Sequence, residues 1–247
     1  MKALGKLILV ELKLFVREPI TLVFTLIMPL IMFIVMGEVF GKAADVSAIY
    51  RGVNAMDYYT PAYIGVVIAA VGLIAIPVHL AGYREKGILR RLRASSLSVG
   101  NLFLSQLVVG LIITAVCMAV LIIPAVTLYH IAAPHNLALV IGGSVLAMLS
   151  FTCMGIMLGF ILPSARAAQG VGMPLFFLMY VVSGSAPPRE AMSSMMQNIG
   201  QALPLWHVTS VVQDAWLGYG WNVAASLILA GATLAAALIT FLVFRKE

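Results

Sequence analysis

From residue 94 to residue 165 the chain runs 72 positions without an Asp, Glu, Lys or Arg. Shorter charge-free stretches cover 19–37, 58–83, 167–188, 191–213 and 215–244. Crossing roughly 30 Å of hydrocarbon takes about 20 apolar residues at 1.5 Å per residue. The 72-residue stretch therefore holds two spans, divided at Tyr129–Asn136, where His130, Pro134, His135 and Asn136 cluster. Residues 191–213 are uncharged but carry Ser193, Ser194, Gln197, Asn198, Gln201 and Pro204, and so fail as a lipid-facing span. Six spans are expected, at about 20–37, 59–82, 103–128, 137–161, 170–185 and 221–244. Residues 187–219 then fold on, or partly into, one membrane face.

Composition agrees. Only 10% of the 247 residues are charged, against roughly 25% in a soluble domain, and the mean hydropathy is +1.08. Too few charges remain to clothe a water-facing surface. This excludes a soluble enzyme, a disordered tail and a coiled coil, and leaves an all-α polytopic membrane protein.

The basic residues orient it. Six spans place twelve Lys and Arg on the face of the two termini, the second loop and the fourth loop, and three (Lys42, Arg51, Arg189) opposite. Acidic residues divide four to five, without that bias. The expectation is a cell-membrane protein with both termini cytoplasmic. The net charge of +6 is a topology signal that also attracts anionic headgroups, and no nucleic-acid partner is expected. Tyr50, Tyr58, Tyr59, Tyr63, Tyr129, Trp206, Trp216, Tyr219 and Trp221 fall near the outer boundary and read as an interfacial belt.

Residues 1–18 read as a helix along the cytoplasmic interface before Pro19. Lys2, Lys6, Lys13 and Arg17 share one face, and Glu11 and Glu18 the nearly opposite one. The glutamates need polar partners: either the second loop's arginines or a second protein. That loop, residues 84–98, is amphipathic as a helix, with Ile88, Leu89 and Leu92 on one arc and Lys86, Arg90 and Arg93 opposite. It fits a helix projecting below the membrane toward a cytoplasmic partner, or a loop that only fixes topology.

Taken in order, these pieces resemble the type-2 ABC exporter permeases, most closely the short drug- and antibiotic-export branch. The resemblance spans essentially the whole chain. It rests on Glu11-Leu12-Lys13-Leu14-Phe15-Val16-Arg17-Glu18-Pro19 and the exit Met36-Gly37-Glu38-Val39-Phe40-Gly41. It continues through Glu85-Lys86-Gly87 with Arg90, Arg91-Leu92 and Leu97-Ser98, and so implies a coupling role for Arg84, Glu85, Gly87, Ile88, Leu89, Arg90, Arg91, Leu92 and Arg93. The last part is Ser183-Gly184-Ser185-Ala186-Pro187-Pro188, Leu203-Pro204-Leu205-Trp206-His207 and Leu217-Gly218. The resemblance implies that 84–98 is a coupling helix docking into an ATPase subunit, and that Pro187–His207 lies in short external helices dipping back before the last span. It also implies a path lined by the first, second and fifth spans of two permease copies, or of this chain and a paralogue. Ser96 stands where the family commonly has Pro. Gln213 and Asp214 replace a basic residue frequent before the final Leu-Gly, which weakens the expectation of a charged outer gate.

No G-x-x-x-x-G-K-[ST] phosphate loop occurs, so ATP and Mg belong on a separate ATP-binding subunit, and no cofactor or catalytic residue is assigned here. The expected cargo is an amphipathic or hydrophobic molecule: drug, antibiotic, lipid or glycolipid. The rival is an ion-coupled secondary transporter or channel. It usually carries ionisable residues within the membrane, and the six spans hold only His79 near one end. Cys117 and Cys153 have no metal or redox spacing, and His130 and His135 no acidic neighbours. Gly155 and Gly159 form a G-x-x-x-G, read as intrachain packing ahead of a dimer seam. Fourteen methionines read first as core filling and second as an adaptable lining.

Overall fold

The computed structural model describes residues 2–40, 48–88 and 99–246. Of the expected coupling residues, Leu89, Arg90, Arg91, Leu92 and Arg93 lie outside these. The chain is 85% helical, with no strand among the described residues. Helix α1 (Lys2–Val16) leads into α2 (Pro19–Phe40) and α3 (Ala55–Glu85). Then come α4 (Val99–Tyr129), α5 (Leu137–Ile161) and α6 (Ala165–Val182). Two short helices, α7 (Ser194–Gln201) and α8 (Pro204–Leu217), precede α9 (Val223–Lys246). Six of them (α2, α3, α4, α5, α6 and α9) are long and apolar enough to cross a membrane. Helix α8, with 14 residues, reaches only about 21 Å.

Local chemistry sets several ends. Ser164 accepts from the amide of Ala167 at 3.2 Å and starts α6 five residues before the expected 170. Asn136 caps α5 likewise, through the amide of Leu139 at 3.1 Å. Gly87, at φ +66°, turns the chain away from the end of α3, a conformation that costs other residues a Cβ clash.

Helix α3 is the central post. Its best apolar window is 94% buried, against 17% for α9 and 28% for α2. Helices α2, α4, α5, α6 and α8 all pack on it. Two glycines let neighbours approach closely. Gly155 of α5 abuts the carbonyl of Gly72, and Gly172 of α6 that of Leu73, both within a π-turn at Val71–Ala75. No Cβ fits at either position. Gly155 and Gly159 thus pack within the chain, against α3. Of the three spans that the resemblance assigns to a path, α3 presents no open face from Ala55 to Tyr83. The described parts of α2 and α6 do retain exposed residues along their lengths.

The aromatic belt needs correction. Tyr58, Tyr59 and Tyr63 are fully buried, and Tyr50 and Trp216 nearly so. The four tyrosines belong to an interior edge-to-face cluster that includes Phe33 and Tyr180. Being on α3, the three tyrosines are enclosed by the chain's own helices, and each hydroxyl has a partner: Arg189, Ala186 and Tyr180 respectively. Tyr219 and Trp221 do stay exposed.

Candidate functional site

The two ends of α3 carry different polar assemblies. At the basic end, Arg84 donates through Nη1 to the carbonyl of Phe160 in the last turn of α5. Its neighbour Glu85 accepts from the amide of Ala165, at the start of α6, at 3.2 Å. A cation on a helix C-terminus and a carboxylate on a helix N-terminus both complement the exposed backbone groups there. The root of the 86–98 loop is thereby tied to the α5–α6 junction.

Helix α1 docks at this end. Glu11 is 3% exposed and accepts from Gln106 Nε2 at 2.8 Å and Ser105 Oγ at 3.2 Å, both on α4. Glu18 accepts from Thr21 Oγ1 at 3.0 Å and lies 3.6 Å from His79 Nδ1. Among the described residues, then, the glutamates meet α4, Thr21 and His79, and no arginine. Arg17 is exposed on the other face of α1. Burial pushes the Glu11 carboxyl up from 4.5 to about 7, against the lowering effect of Ser105 and Gln106. A carboxyl with a raised folded-state pKa makes its full contribution below the unfolded value and loses it as pH rises through the folded one. Docking of α1 is thus expected to weaken between pH 4.5 and about 7. Glu11→Gln should remove that dependence and stabilise the docked helix at pH 8 by roughly 3 kcal/mol at most. Tryptic cleavage at Lys13 and Arg17, measured from pH 5 to 8, reads this directly. Identical profiles for the two proteins would refute it.

At the opposite end the organising residue is Arg189, in a short 3-10 turn, Arg189–Ala191, capped by Pro188. Its Nε donates to the Ser183 carbonyl at 2.9 Å, Nη1 to Ser210 Oγ at 2.6 Å, and Nη2 to the Trp206 carbonyl at 2.7 Å and to Thr209 Oγ1. The guanidinium lies 4.3 Å over the Trp206 ring. The Arg189 amide donates to Tyr58 Oη at 3.1 Å, and Gln213 Nε2 donates to the Tyr58 carbonyl at 2.9 Å. One arginine therefore joins the end of α6, helix α8 and the first turn of α3. Burial lowers its pKa to about 10, partly offset by Tyr58, so it is cationic at neutral pH. Two further links close this end. Arg51 pairs with Asp214 at 2.7 Å while lying over Tyr219, and Asp57 accepts from the amide of Ala132 at 2.7 Å. A cavity of about 360 Å³ opens between Arg51, Arg189, Glu190, Asp214, Trp206 and Asn222, with its charges balanced.

Of the expected external residues, Trp206 is under Arg189, and His207 is buried with Nε2 2.8 Å from the Gln201 carbonyl. Pro204 begins α8, and Pro187 and Pro188 lead into the Arg189 turn. The sequence alone does not show the linking roles of Arg189, Tyr58, Gln213 and the Arg51–Asp214 pair. The signal for Arg189 was its position: with Glu190 it is the one charged interruption between 167 and 213. Asp214 restores a charged group where the family's basic residue is replaced, with Arg51 as its counter-ion.

The described residues hold no group of three His, Cys, Asp or Glu placed to bind a metal. A family model for ABC-2 type transporters matches residues 3–217. The probable multidrug ABC transporter permease YbhR of Escherichia coli K12 is 24% identical over 196 residues, covering 77% of this chain and 52% of that relative. Its counterpart in Escherichia coli O157:H7 matches to the same extent. The chain spans about half the length of the curated relatives it matches. With six membrane-length helices and a family match over most of its residues, the chain belongs to the ABC-2 type transporter family.

Proposed function

We propose that this chain is the permease subunit of an ATP-driven exporter. It moves an amphipathic or hydrophobic substrate (drug, antibiotic, lipid or glycolipid) out of the cytoplasm or the inner leaflet. A separate subunit binds ATP and Mg, and a second copy or a paralogue completes the pathway. The basic end and both termini face the cytoplasm of the cell membrane, α1 lies along the interface, residues 84–98 form the coupling helix, and 187–219 dips in from outside. The carrying observation is the enclosed α3, which joins the Arg84–Glu85 anchor to the Tyr58–Arg189 hub. A push on the coupling loop has a rigid route to the external segment. The packing of α8 against α3, α5 and α9 supports the re-entrant reading, and a multidrug permease among its relatives supports the cargo class.

The test is reconstitution in liposomes with and without the ATP-binding subunit, following extrusion of an amphipathic dye. Extrusion is expected only with both subunits and ATP, and Arg90→Glu with Arg93→Glu should release the ATPase from a folded permease. Dye movement driven by a proton or sodium gradient through this chain alone would instead establish the ion-coupled class.

A further inference from the structure

Two of the spans carry the same irregularity. Helix α2 opens into a π-turn at Val23–Ile27, and α3 into one at Val71–Ala75. Each turn closes with an amide donating five residues back, Met28 to the Val23 carbonyl and Ile76 to that of Val71. The next residue in both is a proline, Pro29 and Pro77, with no N–H to continue the ladder. The carbonyls of Phe24 and Gly72 therefore find the amide four residues on already committed, and no donor five residues on. Those of Thr25 and Leu73 lose their α-helical donor. The two turns pack against each other.

Their surroundings differ. On α3 both released carbonyls are held. A Cβ on Gly155 would stand 2.1 Å from the Gly72 oxygen, and one on Gly172 would stand 2.1 Å from that of Leu73. With hydrogens there instead, α5 and α6 close on these oxygens through weak Cα–H···O contacts. Every residue from Val71 to Ala75 is buried. On α2 the turn reaches the surface through Val23 and Ile27. Within it the Thr25 hydroxyl donates to the Thr21 carbonyl at 2.7 Å, a back-bond that bends helices. Beyond Pro29 the helix is anchored again. Phe33 packs edge-on to Tyr63 and Tyr129, and Tyr129 Oη donates to the Ile34 carbonyl at 3.3 Å.

We propose that α2 is hinged at Val23–Ile27, so that α1 and the first turn of α2 (Pro19–Leu22) swing against the clamped turn of α3 while Met28–Phe40 stays packed. On the moving side the ties run through Glu11 and Glu18, polar contacts that can break and re-form. Ile20 stands about 10 Å from the far end of the turn at 1.5 Å per residue, so a change of bend of roughly 20° carries it about 4 Å. The hinge does not depend on what drives transport or in which direction, and the enclosed α3 is its fixed half.

The full-length chain carrying Cys117→Ala and Cys153→Ala is reconstituted in nanodiscs and spin-labelled at pairs of introduced cysteines. Ile20→Cys with Ile161→Cys joins the moving segment to the end of α5, and Val39→Cys with Ile141→Cys joins the same two helices at the opposite end. All four positions are exposed, and dilution with unlabelled chain removes distances between copies. Pulsed dipolar spectroscopy is expected to give a distribution about 4 Å broader for the first pair than for the second. Pro29→Ala returns a donor to the Thr25 carbonyl and should narrow the first pair to the width of the second. Thr25→Val, which keeps the shape and removes the back-bond, should narrow it in part. An unchanged second pair reports that these variants are folded. Pro77→Ala on α3 and Pro124→Ala on α4 should leave the first pair broad. Equal widths in the parent chain, or no narrowing in either α2 variant, overturns the hinge. Narrowing by Pro124→Ala would show unspecific stiffening and overturns it too, and narrowing by Pro77→Ala overturns α3 as the fixed half.

Discussion

Arg189→Met is expected to abolish outward transport and to lower stability by roughly 2–4 kcal/mol, read by thermal unfolding in detergent and by dye extrusion from liposomes. The side chain donates to two carbonyls and two hydroxyls and covers an indole ring. Hydrogen bonds from a charged donor are worth about 1.5–3 kcal/mol each, but they are not additive here. The single Thr209 hydroxyl proton can go to the Ser183 carbonyl at 2.9 Å, and Ser210 donates to that of Trp206, so removing the arginine strands fewer acceptors than it contacts. The larger consequence is mechanical. Without the guanidinium, α8 and the end of α6 lose their common tie beside the first turn of α3. Arg189→Lys tests the geometry apart from the charge. A lysine keeps the cation but not the planar fork, and should recover part of the stability and little of the transport. Full transport by Arg189→Lys would show that charge alone suffices. Full transport by Arg189→Met would remove this end from the mechanism.

Much of the architecture was open to a reader of the sequence, because a bilayer imposes a length that charge-free stretches reveal. Residues 94–165 had to hold two helices, and α4 and α5 occupy them. What pattern could not show is which face of an apolar helix meets lipid and which meets protein. Helices α3 and α9 are similarly apolar, with mean hydropathies of 2.4 and 2.3, yet one is enclosed and the other peripheral. The tyrosines mislead for the same reason. Tyr58, Tyr59 and Tyr63 have the composition of an interfacial belt, but their helix is the one the others surround. Glu11 pairs with Ser105 and Gln106, uncharged residues at the edge of a span that offered no sign of a carboxylate partner. Arg189 resembled a loop charge because its partners are mostly carbonyls and hydroxyls, which any sequence contains.

The double variant Arg84→Met, Glu85→Met is expected to uncouple the transporter: ATP hydrolysis by the partner persists while transport falls about tenfold. Tenfold corresponds to losing about 1.4 kcal/mol of coupling free energy, the scale of one or two interactions on helix termini. Both residues sit at the surface end of α3, and Glu85 is exposed, so the fold should survive. What is lost is the tie from the root of the 86–98 loop to the last turn of α5 and the first of α6. If force enters through that loop, a loose root lets it swing on Gly87 without moving α3, and hydrolysis continues without a stroke. The ratio of ATP hydrolysed to dye extruded is therefore the decisive quantity. An unchanged ratio with both rates halved would mean that the variant merely damages assembly. An unchanged ratio at full rates would mean that force reaches α3 by another route, with the docking of α1 through Glu11 the remaining connection at that end.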